Sequence, residues 1–296
     1  MHAGEHDIDD GLVRMLIAGQ FPQWASLPLS RVASAGTDHA LYRLGDEMSV
    51  RLPRVEVAAG QVEKEQRWLP LLAPHLPLAI PTPLAQGAPA EGYPWAWSVY
   101  RWQPGENAIA SPVSDLHLAA LDLAGFVEAL HRVDLAGGPE PGRHNFFRGV
   151  PLAHRDASVR SALAALAGTI DVPAAARAWD AALATPAWQG APVWIHGDLH
   201  AGNLLVEQGR ISGVIDWGGL AVGDPACDLM VAWNFLDAGA REAFRAALDV
   251  DDATWERGRG WALSMALIAL PYYRETNPVI VASSMRTLGE VLAASS

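Results

Sequence analysis

The sequence predicts an α+β chain of two lobes: a small one built on an antiparallel sheet over residues 1–102, and a larger, mainly helical one over 103–296. Three observations predict it. Short alternating apolar segments, separated by turn residues, crowd the first hundred positions. Gln103-Pro104-Gly105-Glu106 then breaks the pattern. Beyond it, apolar residues recur at helical spacing in long runs.

Taken in order, residues 7–20 carry Ile8, Leu12, Met15 and Leu16 at helical spacing, with Asp7 or Asp9 as the cap. Residues 29–34, 40–44 and 48–52 alternate as three short strands, with turns at Gly36-Thr37-Asp38 and Gly45-Asp46. Residues 61–72 read as a helix ended by Pro74. Residues 80–94, rich in proline and glycine, hold one short strand, and 95–102 make the next. The sum is a sheet of about five strands with one helix laid on it. After the break, 114–134 put Leu118, Leu121, Ala124, Val127 and Leu130 on one face. Residues 137–152, full of turn formers, read as a surface excursion. Helices follow near 156–168, 173–184, 225–237, 240–248, 252–270 and 278–293, with no internal repeat and no low-complexity segment.

The 296 residues are half apolar, enough for a sizeable core. Thirty-three acids against 21 bases give a net charge of −12, which disfavours nucleic acid as a partner and suits a cationic small molecule. The first ten residues are polar and acidic, without the apolar core of a secretory signal. Residues 261–273 are the longest apolar stretch, too short to span a bilayer, so no membrane partner is expected. Cys227 is the only cysteine, which excludes an intrachain disulfide and fits a reducing cytoplasm. Nothing in the sequence addresses oligomeric state.

The chemistry sits at 196–206, His-Gly-Asp-Leu-His-Ala-Gly-Asn-Leu-Leu-Val, and at Asp216 within Val-Ile-Asp-Trp. Leu204-Leu205-Val206 and 210–215, with Gly209 between them, read as a hairpin carrying Asn203 at one end and Asp216 at the other. The loop bearing Asp198 precedes it, so a carboxylate, a carboxamide and a second carboxylate converge at one sheet edge. Hard oxygen donors of this kind suit Mg²⁺, which takes its other ligands from water and phosphate. Metal-assisted phosphoryl transfer needs such donors, an acceptor for the hydroxyl proton and a cradle for the phosphates. Asp198 supplies the proton acceptor, and Asn203 and Asp216 the metal ligands.

The stretch from His196 to Asp228, with Asp216-Trp217 and Gly223-Asp224-Pro225-Ala226-Cys227-Asp228-Leu229, resembles the aminoglycoside phosphotransferase family, a branch of the protein-kinase-like fold. The resemblance runs over about 10–290, stronger in the second half. It implies a bilobal fold, Asp198 as catalytic base, and Asn203 and Asp216 as magnesium ligands. His196 and Asp228 would brace the loop. In the first lobe it implies a phosphate-covering turn at 33–39, including Gly36 and Thr37, whose small residues let backbone N–H groups approach an anion. The family lysine on the third strand falls on Arg51, with Glu65 as its helical partner in preference to Glu63. Arg51 is a departure, a planar fork in place of a point charge. Lys64, the chain's only lysine, points to another helix face. Backbone groups of Arg101 and Gln103 would meet the purine, with Tyr100 behind it, and ATP and GTP both stay open.

Other features carry less. His200 reads as a loop residue and Asp224 as a turn and helix cap. Trp233, Trp255 and Trp261 read as core. Asp237, Glu242, Asp251, Asp252 and Glu275 are acids that could meet a cationic acceptor, or simply a solvated surface. Neither a serine triad nor a zinc cluster is present in the sequence pattern. The reading is a Mg²⁺-dependent phosphotransferase using ATP or GTP, with the hydroxyl of an antibiotic such as an aminoglycoside as acceptor. A metabolite kinase, a macrolide or peptide-antibiotic kinase, and a catalytically weak nucleotide-binding regulator are its alternatives.

Overall fold

A computed structural model describes residues 5–32, 38–134 and 136–293. Strands β1 (Leu29–Arg31), β2 (His39–Leu44), β3 (Met48–Pro53), β4 (Pro83–Gly87) and β5 (Trp97–Arg101) form one antiparallel sheet, ordered β1-β2-β3-β5-β4. Side chains alternate across it. Tyr42, Leu44, Val50, Leu52, Trp97 and Val99 join a core with Val13, Leu16 and Ile17 of α1 (Asp10–Gln20), which Asp9 caps through Leu12 N–H at 2.8 Å. Met15, expected inside, is exposed, and Val13 and Ile17 are buried in its place.

The other face, with Arg51, Ser98 and Tyr100, meets α3 (Gln61–Leu72) through Glu65 and Gln66. A short helix, α2 (Glu56–Ala59), precedes α3 and has no counterpart in the sequence reading. The sheet therefore carries a helix on each face. Trp68, Leu69 and Leu72 of α3 belong to the same apolar cluster as the core of the second lobe. Helix α3 is thus packed as part of the interface between lobes.

The second lobe holds α4 (Leu116–His131), α5 (Asp156–Ala165), α6 (Val172–Ala184), α7 (Val231–Asn234), α8 (Ala238–Ala247), α9 (Asp252–Tyr273) and α10 (Pro278–Ala293). The predicted helix at 225–237 is a 3₁₀ segment over Pro225–Met230 followed by α7. On α4 the expected Leu118 and Leu121 are exposed, while Ala119, Ala120, Leu123, Phe126, Val127 and Leu130 are buried. Small alanines let neighbouring elements approach closely, so the buried face is the one with alanines rather than the one with most leucines. No helix among the described residues is long and apolar enough to cross a membrane.

Two small sheets position the site. β7 (Val193–Ile195) pairs with β10 (Ala221–Gly223), and β6 (Glu106–Asn107) pairs with the hairpin β8 (Leu204–Glu207) and β9 (Arg210–Val214). Gly105 enters β6 at φ +100, where a Cβ would stand 2.8 Å from the Val206 carbonyl oxygen. Only glycine lets the connecting chain lie this close to β8.

Candidate active site

The loop from His196 to Asn203 leaves β7 and enters β8, and its shape is fixed from below. Buried Asp228 accepts from His196 N–H at 3.0 Å and Gly197 N–H at 2.7 Å, with His131 Nε2 at 3.3 Å. The His196 ring donates from Nε2 to the Ile215 carbonyl at 3.0 Å and accepts from Asp198 N–H at Nδ1, at 3.2 Å. That pairing needs the neutral ring, and burial holds its pKa below the ordinary histidine value. Both residues brace the loop, as expected of them.

Asp198 emerges from this frame with 29 % of its side chain exposed. Its Oδ1 faces Arg148 Nη2 at 3.3 Å, and its Oδ2 faces Asn203 Nδ2 at 3.4 Å and His200 Nε2 at 3.6 Å. Burial raises the carboxyl's pKa, but the facing His200 ring and the charge of Arg148 outweigh it and hold the group well below the usual carboxylate range. His200 accepts Gly202 N–H at Nδ1, at 3.0 Å, so its proton lies on Nε2, toward Asp198. This ring is more than a loop residue: it faces the proposed base.

Asn203 and Asp216 do meet. Ile215 N–H donates to the Asn203 carbonyl at 2.9 Å, one step beyond the Leu204–Val214 pair, which puts Asp216 beside Asn203 at the hairpin's open end. Asp216 is left-handed (φ +61), a conformation that costs a non-glycine residue about 1–2 kcal/mol and that surroundings must impose. Asn203 donates Nδ2 to the Asp198 carbonyl at 2.9 Å, leaving its Oδ1 without a hydrogen bond among the described residues. Asp216 commits Oδ1 to Arg51 and leaves Oδ2 likewise. An amide oxygen and a carboxylate oxygen, hard donors without a hydrogen bond among the described residues, fit Mg²⁺. Burial raises the Asp216 pKa, yet the Arg51 charge lowers it further, so the group is ionised.

Arg51 is the hub of the first lobe's contribution. Nη1 donates to Glu65 Oε1 at 2.9 Å and Oε2 at 3.2 Å, while Nη2 donates to Asp216 Oδ1 at 2.7 Å and lies 3.2 Å from His39 Nδ1. Glu65 is 1 % exposed and also accepts a short hydrogen bond from the Tyr100 hydroxyl. The expected Arg51–Glu65 pair is therefore present, Tyr100 stands behind it, and the fork reaches a second carboxylate that a sequence-only reading did not assign to it. Gly36 and Thr37 lie outside the described residues. Arg101 N–H is already bonded to the Thr82 carbonyl at 2.9 Å, so only its carbonyl is left for a purine. Gln103 Nε2 lies beside Gly213 of β9.

The segment read as a surface excursion is packed under the site. Asn145, fully buried, donates to the Arg148 carbonyl at 2.9 Å and the Gly219 carbonyl at 3.2 Å, and it presents Arg148 to Asp198. Its turn residues gave no signal of this, because the contacts are to distant parts of the chain. Lys64 is likewise engaged. Its Nζ donates to the Gly218 carbonyl at 2.6 Å and lies 3.3 Å from His144 Nδ1, while His144 Nε2 lies 2.8 Å from the Glu140 carbonyl. It ties α3 to the turn after Asp216. Burial pulls its pKa down to about 8 from 10.5.

That shift has a sign. Between pH 8 and 10.5 the unfolded chain holds a proton that the folded one has lost, so this group makes folding more favourable as pH rises. Wild-type stability measured by urea unfolding is expected to gain about 2 kcal/mol from pH 8 to 10 relative to Lys64→Met. Equal slopes for the two proteins would contradict it.

Three of the acids considered for an acceptor have local partners. Asp237 caps α8 through Ala240 N–H, Asp251 caps α9 through Thr254 N–H, and Asp252 pairs with Arg245. Asp224 caps the 3₁₀ segment through Ala226 N–H, as its turn position suggested, and also forms a buried pair with Arg257 at 2.9 Å. Trp233, Trp255 and Trp261 are core, with Trp233 and Trp255 in ring contact. Among the described residues no group of three or more His, Cys, Asp or Glu side chains forms a metal cage.

A family model described as "Phosphotransferase enzyme family" (APH) matches residues 30–261. An uncharacterized protein of Bacillus subtilis (strain 168) is 29% identical over 194 residues, 64% of this chain and 58% of that protein. An aminoglycoside 3'-phosphotransferase of Escherichia coli is 44% identical over 46 residues, 16% of this chain and 17% of that protein. The match thus spans less than two thirds of either curated relative. Among solved structures, the GDP complex of wild-type aminoglycoside 2'-phosphotransferase-IIIa superposes with TM-score 0.73 at 18% identity, over 98% of this chain and 100% of that one. The apoenzyme of a macrolide 2'-phosphotransferase from Brachybacterium faecium gives TM-score 0.63 at 26% identity, over 96% and 98%. The fold is that of these bilobal, kinase-like phosphotransferases.

Proposed function

The chain belongs to the phosphotransferase enzyme family, and from that premise we propose that it transfers the γ-phosphoryl group of ATP or GTP to a hydroxyl of a small molecule, an antibiotic such as an aminoglycoside. The observation that carries the reading is the convergence of Asp198, Asn203 and Asp216 beside a hairpin end, with Arg51 reaching Asp216 from the opposite lobe. The GDP complex of the aminoglycoside 2'-phosphotransferase-IIIa structure supports a nucleotide as donor. The 44% identity of a 46-residue stretch to an aminoglycoside 3'-phosphotransferase supports the acceptor class.

In this reading the acceptor hydroxyl gives its proton to Asp198 as its oxygen bonds to the γ-phosphorus. The bond from that phosphorus to the β–γ bridging oxygen breaks, and the nucleoside diphosphate leaves. Asn203 and Asp216 would hold Mg²⁺, whose chemistry there is to neutralise charge on the phosphate oxygens. Arg51, anchored by Glu65, orients the inner phosphates with the N–H donors not given to Glu65 and Asp216. Arg101, Gln103 and Tyr100 line the purine end. The loop holds Asp198 ionised and aimed, so positioning and fixed charge supply most of the rate.

A second acceptor class is favoured by one observation. Asp237 and Asp251 serve as helix caps, and the side chains facing Asp198 are Arg148 and His200 rather than acids. A less cationic acceptor, such as a macrolide, suits that surface.

The test is a coupled nucleotide-turnover assay with Mg²⁺, running ATP and GTP against aminoglycosides, macrolides, peptide antibiotics and metabolite alcohols, with Asp198→Ala as control. Acceptor-dependent turnover that disappears in the control is expected. A protein that binds neither nucleotide would overturn the proposal.

A further inference from the structure

Arg148 has donor capacity beside the reacting centre that nothing among the described residues uses. Of its donors only Nη2 has a partner among the described residues, Asp198 Oδ1 at 3.3 Å, a single end-on contact instead of the two-pronged pairing a guanidinium makes when a carboxylate is its sole purpose. Nε is buried without a partner among the described residues, and the side chain is 12 % exposed. An unpaired buried N–H is costly to keep.

The chain also goes to some expense to hold Arg148 there. Phe146 and Phe147, just before it, both lie in the left-handed region (φ 54 and 56), at about 1–2 kcal/mol each. Several attachments impose the shape. Phe147 stacks on His154 with ring centroids 4.5 Å apart, Phe147 N–H bonds the Gly142 carbonyl at 2.8 Å, and Asp224 N–H bonds the Gly149 carbonyl at 2.9 Å. The stem lies against the catalytic loop, so that a Cβ on Gly197 (φ +80) would come 3.0 Å from the Arg148 Cβ. Persistent strain of this kind, aimed at one side chain, points to a task for that side chain.

The other nearby nitrogen donors are engaged. Arg51 is divided between Glu65 and Asp216, Lys64 is bonded to the Gly218 carbonyl, and His200 uses Nδ1 on Gly202 and turns Nε2 to Asp198. An acceptor oxygen within hydrogen-bond reach of Asp198 stands about 3–3.5 Å from the phosphorus it attacks. A group 3.3 Å from Asp198 Oδ1 is therefore a neighbour of the transferring phosphoryl.

We propose that Arg148 is a further catalytic residue, an arginine supplied from within the chain that donates to the equatorial oxygens of the phosphoryl group as it passes from nucleotide to acceptor. The inference rests on the phosphotransferase reading. In a loose transition state, charge spreads over those oxygens, and an arginine placed on them is worth about 10³–10⁵ in turnover. Its contact with Asp198 then holds the guanidinium ready while keeping the base charged.

The probe is the nucleoside diphosphate with aluminium fluoride and Mg²⁺, which mimics the planar phosphoryl and needs no acceptor. Binding of this mimic and of intact nucleotide is measured for wild type, Arg148→Gln and Arg148→Lys, alongside pH profiles of turnover. Arg148→Gln is expected to lose mimic affinity by at least about 100-fold with intact-nucleotide affinity within about threefold, and to lose turnover at every pH. Arg148→Lys, which keeps the stem and the charge, should recover part of the loss and stands in if the glutamine variant fails to fold. Unchanged mimic affinity, with a turnover loss confined to acid pH, would overturn the proposal and make Arg148 only the counter-charge of Asp198. Wild-type protein that binds no nucleotide would instead remove the phosphotransferase reading itself.

Discussion

Asp198→Asn is expected to lower acceptor-dependent turnover by about a thousandfold or more while nucleotide affinity stays within about threefold. The substitution keeps size and shape, and the loop survives it. Asp228 holds His196 N–H and Gly197 N–H, and the bonds through Asp198's own backbone, to His196 Nδ1 and from Asn203 Nδ2, do not involve its carboxylate. What is lost is an acceptor for the hydroxyl proton. The carboxyl's low pKa adds a second expectation. An acidic group whose folded pKa is depressed is ionised, and contributes its stability, above its ordinary value, and loses both only as pH falls through the folded one. Wild-type turnover should therefore show no acid limb from Asp198 between about pH 5 and 8. His200→Ala removes the ring N–H that faces the carboxylate and helps lower this pKa, so burial regains weight and an acid limb should move to higher pH. A pH–rate profile of both proteins decides it. An Asp198→Asn enzyme that retains a tenth of wild-type turnover would remove Asp198 from the role of base.

Much of this architecture was legible because it is local. The hairpin around Gly209, the loop before it and the caps at Asp9 and Asp224 depend on neighbours a few residues apart, and spacing reports those directly. The Arg51–Glu65 pair was reachable from strand and helix order, since only one of Glu63 and Glu65 can face the sheet. Three features were not legible for a common reason. Arg148 reaches Asp198 across 50 positions, Lys64 reaches Gly218 across 154, and Arg51 reaches Asp216 across 165. No periodicity encodes such contacts. The segment at 137–152 misled for a further reason, because its glycines and prolines describe backbone freedom and say nothing about what the resulting turns pack against. On α4 the error was one of size, with leucines counted as core where alanines allow the closer approach.

Arg51→Met should lower the unfolding midpoint by about 6–15 °C and abolish turnover, whereas Arg51→Lys should keep most of the stability and about a tenth of the turnover. The asymmetry follows from what each arm of the fork holds. Glu65 is 1 % exposed, and with Arg51 gone its charge keeps only the Tyr100 hydroxyl, an uncompensated buried carboxylate of the kind that costs about 3–5 kcal/mol. Asp216 is 45 % exposed, so water screens its pairing, and its loss bears on geometry rather than on stability. A lysine ammonium can sit on Glu65 as a point charge but cannot present a second, coplanar arm to Asp216. The left-handed Asp216 then loses one of its restraints, and with it the fixed position of the carboxylate oxygen proposed to hold magnesium. Calorimetry with kcat/KM for the three proteins separates the two arms. If Arg51→Lys turned over faster than wild type, the native Arg51–Asp216 pair would be a restraint that the incoming nucleotide must break, and the arginine would be acting against the reaction instead of preparing it.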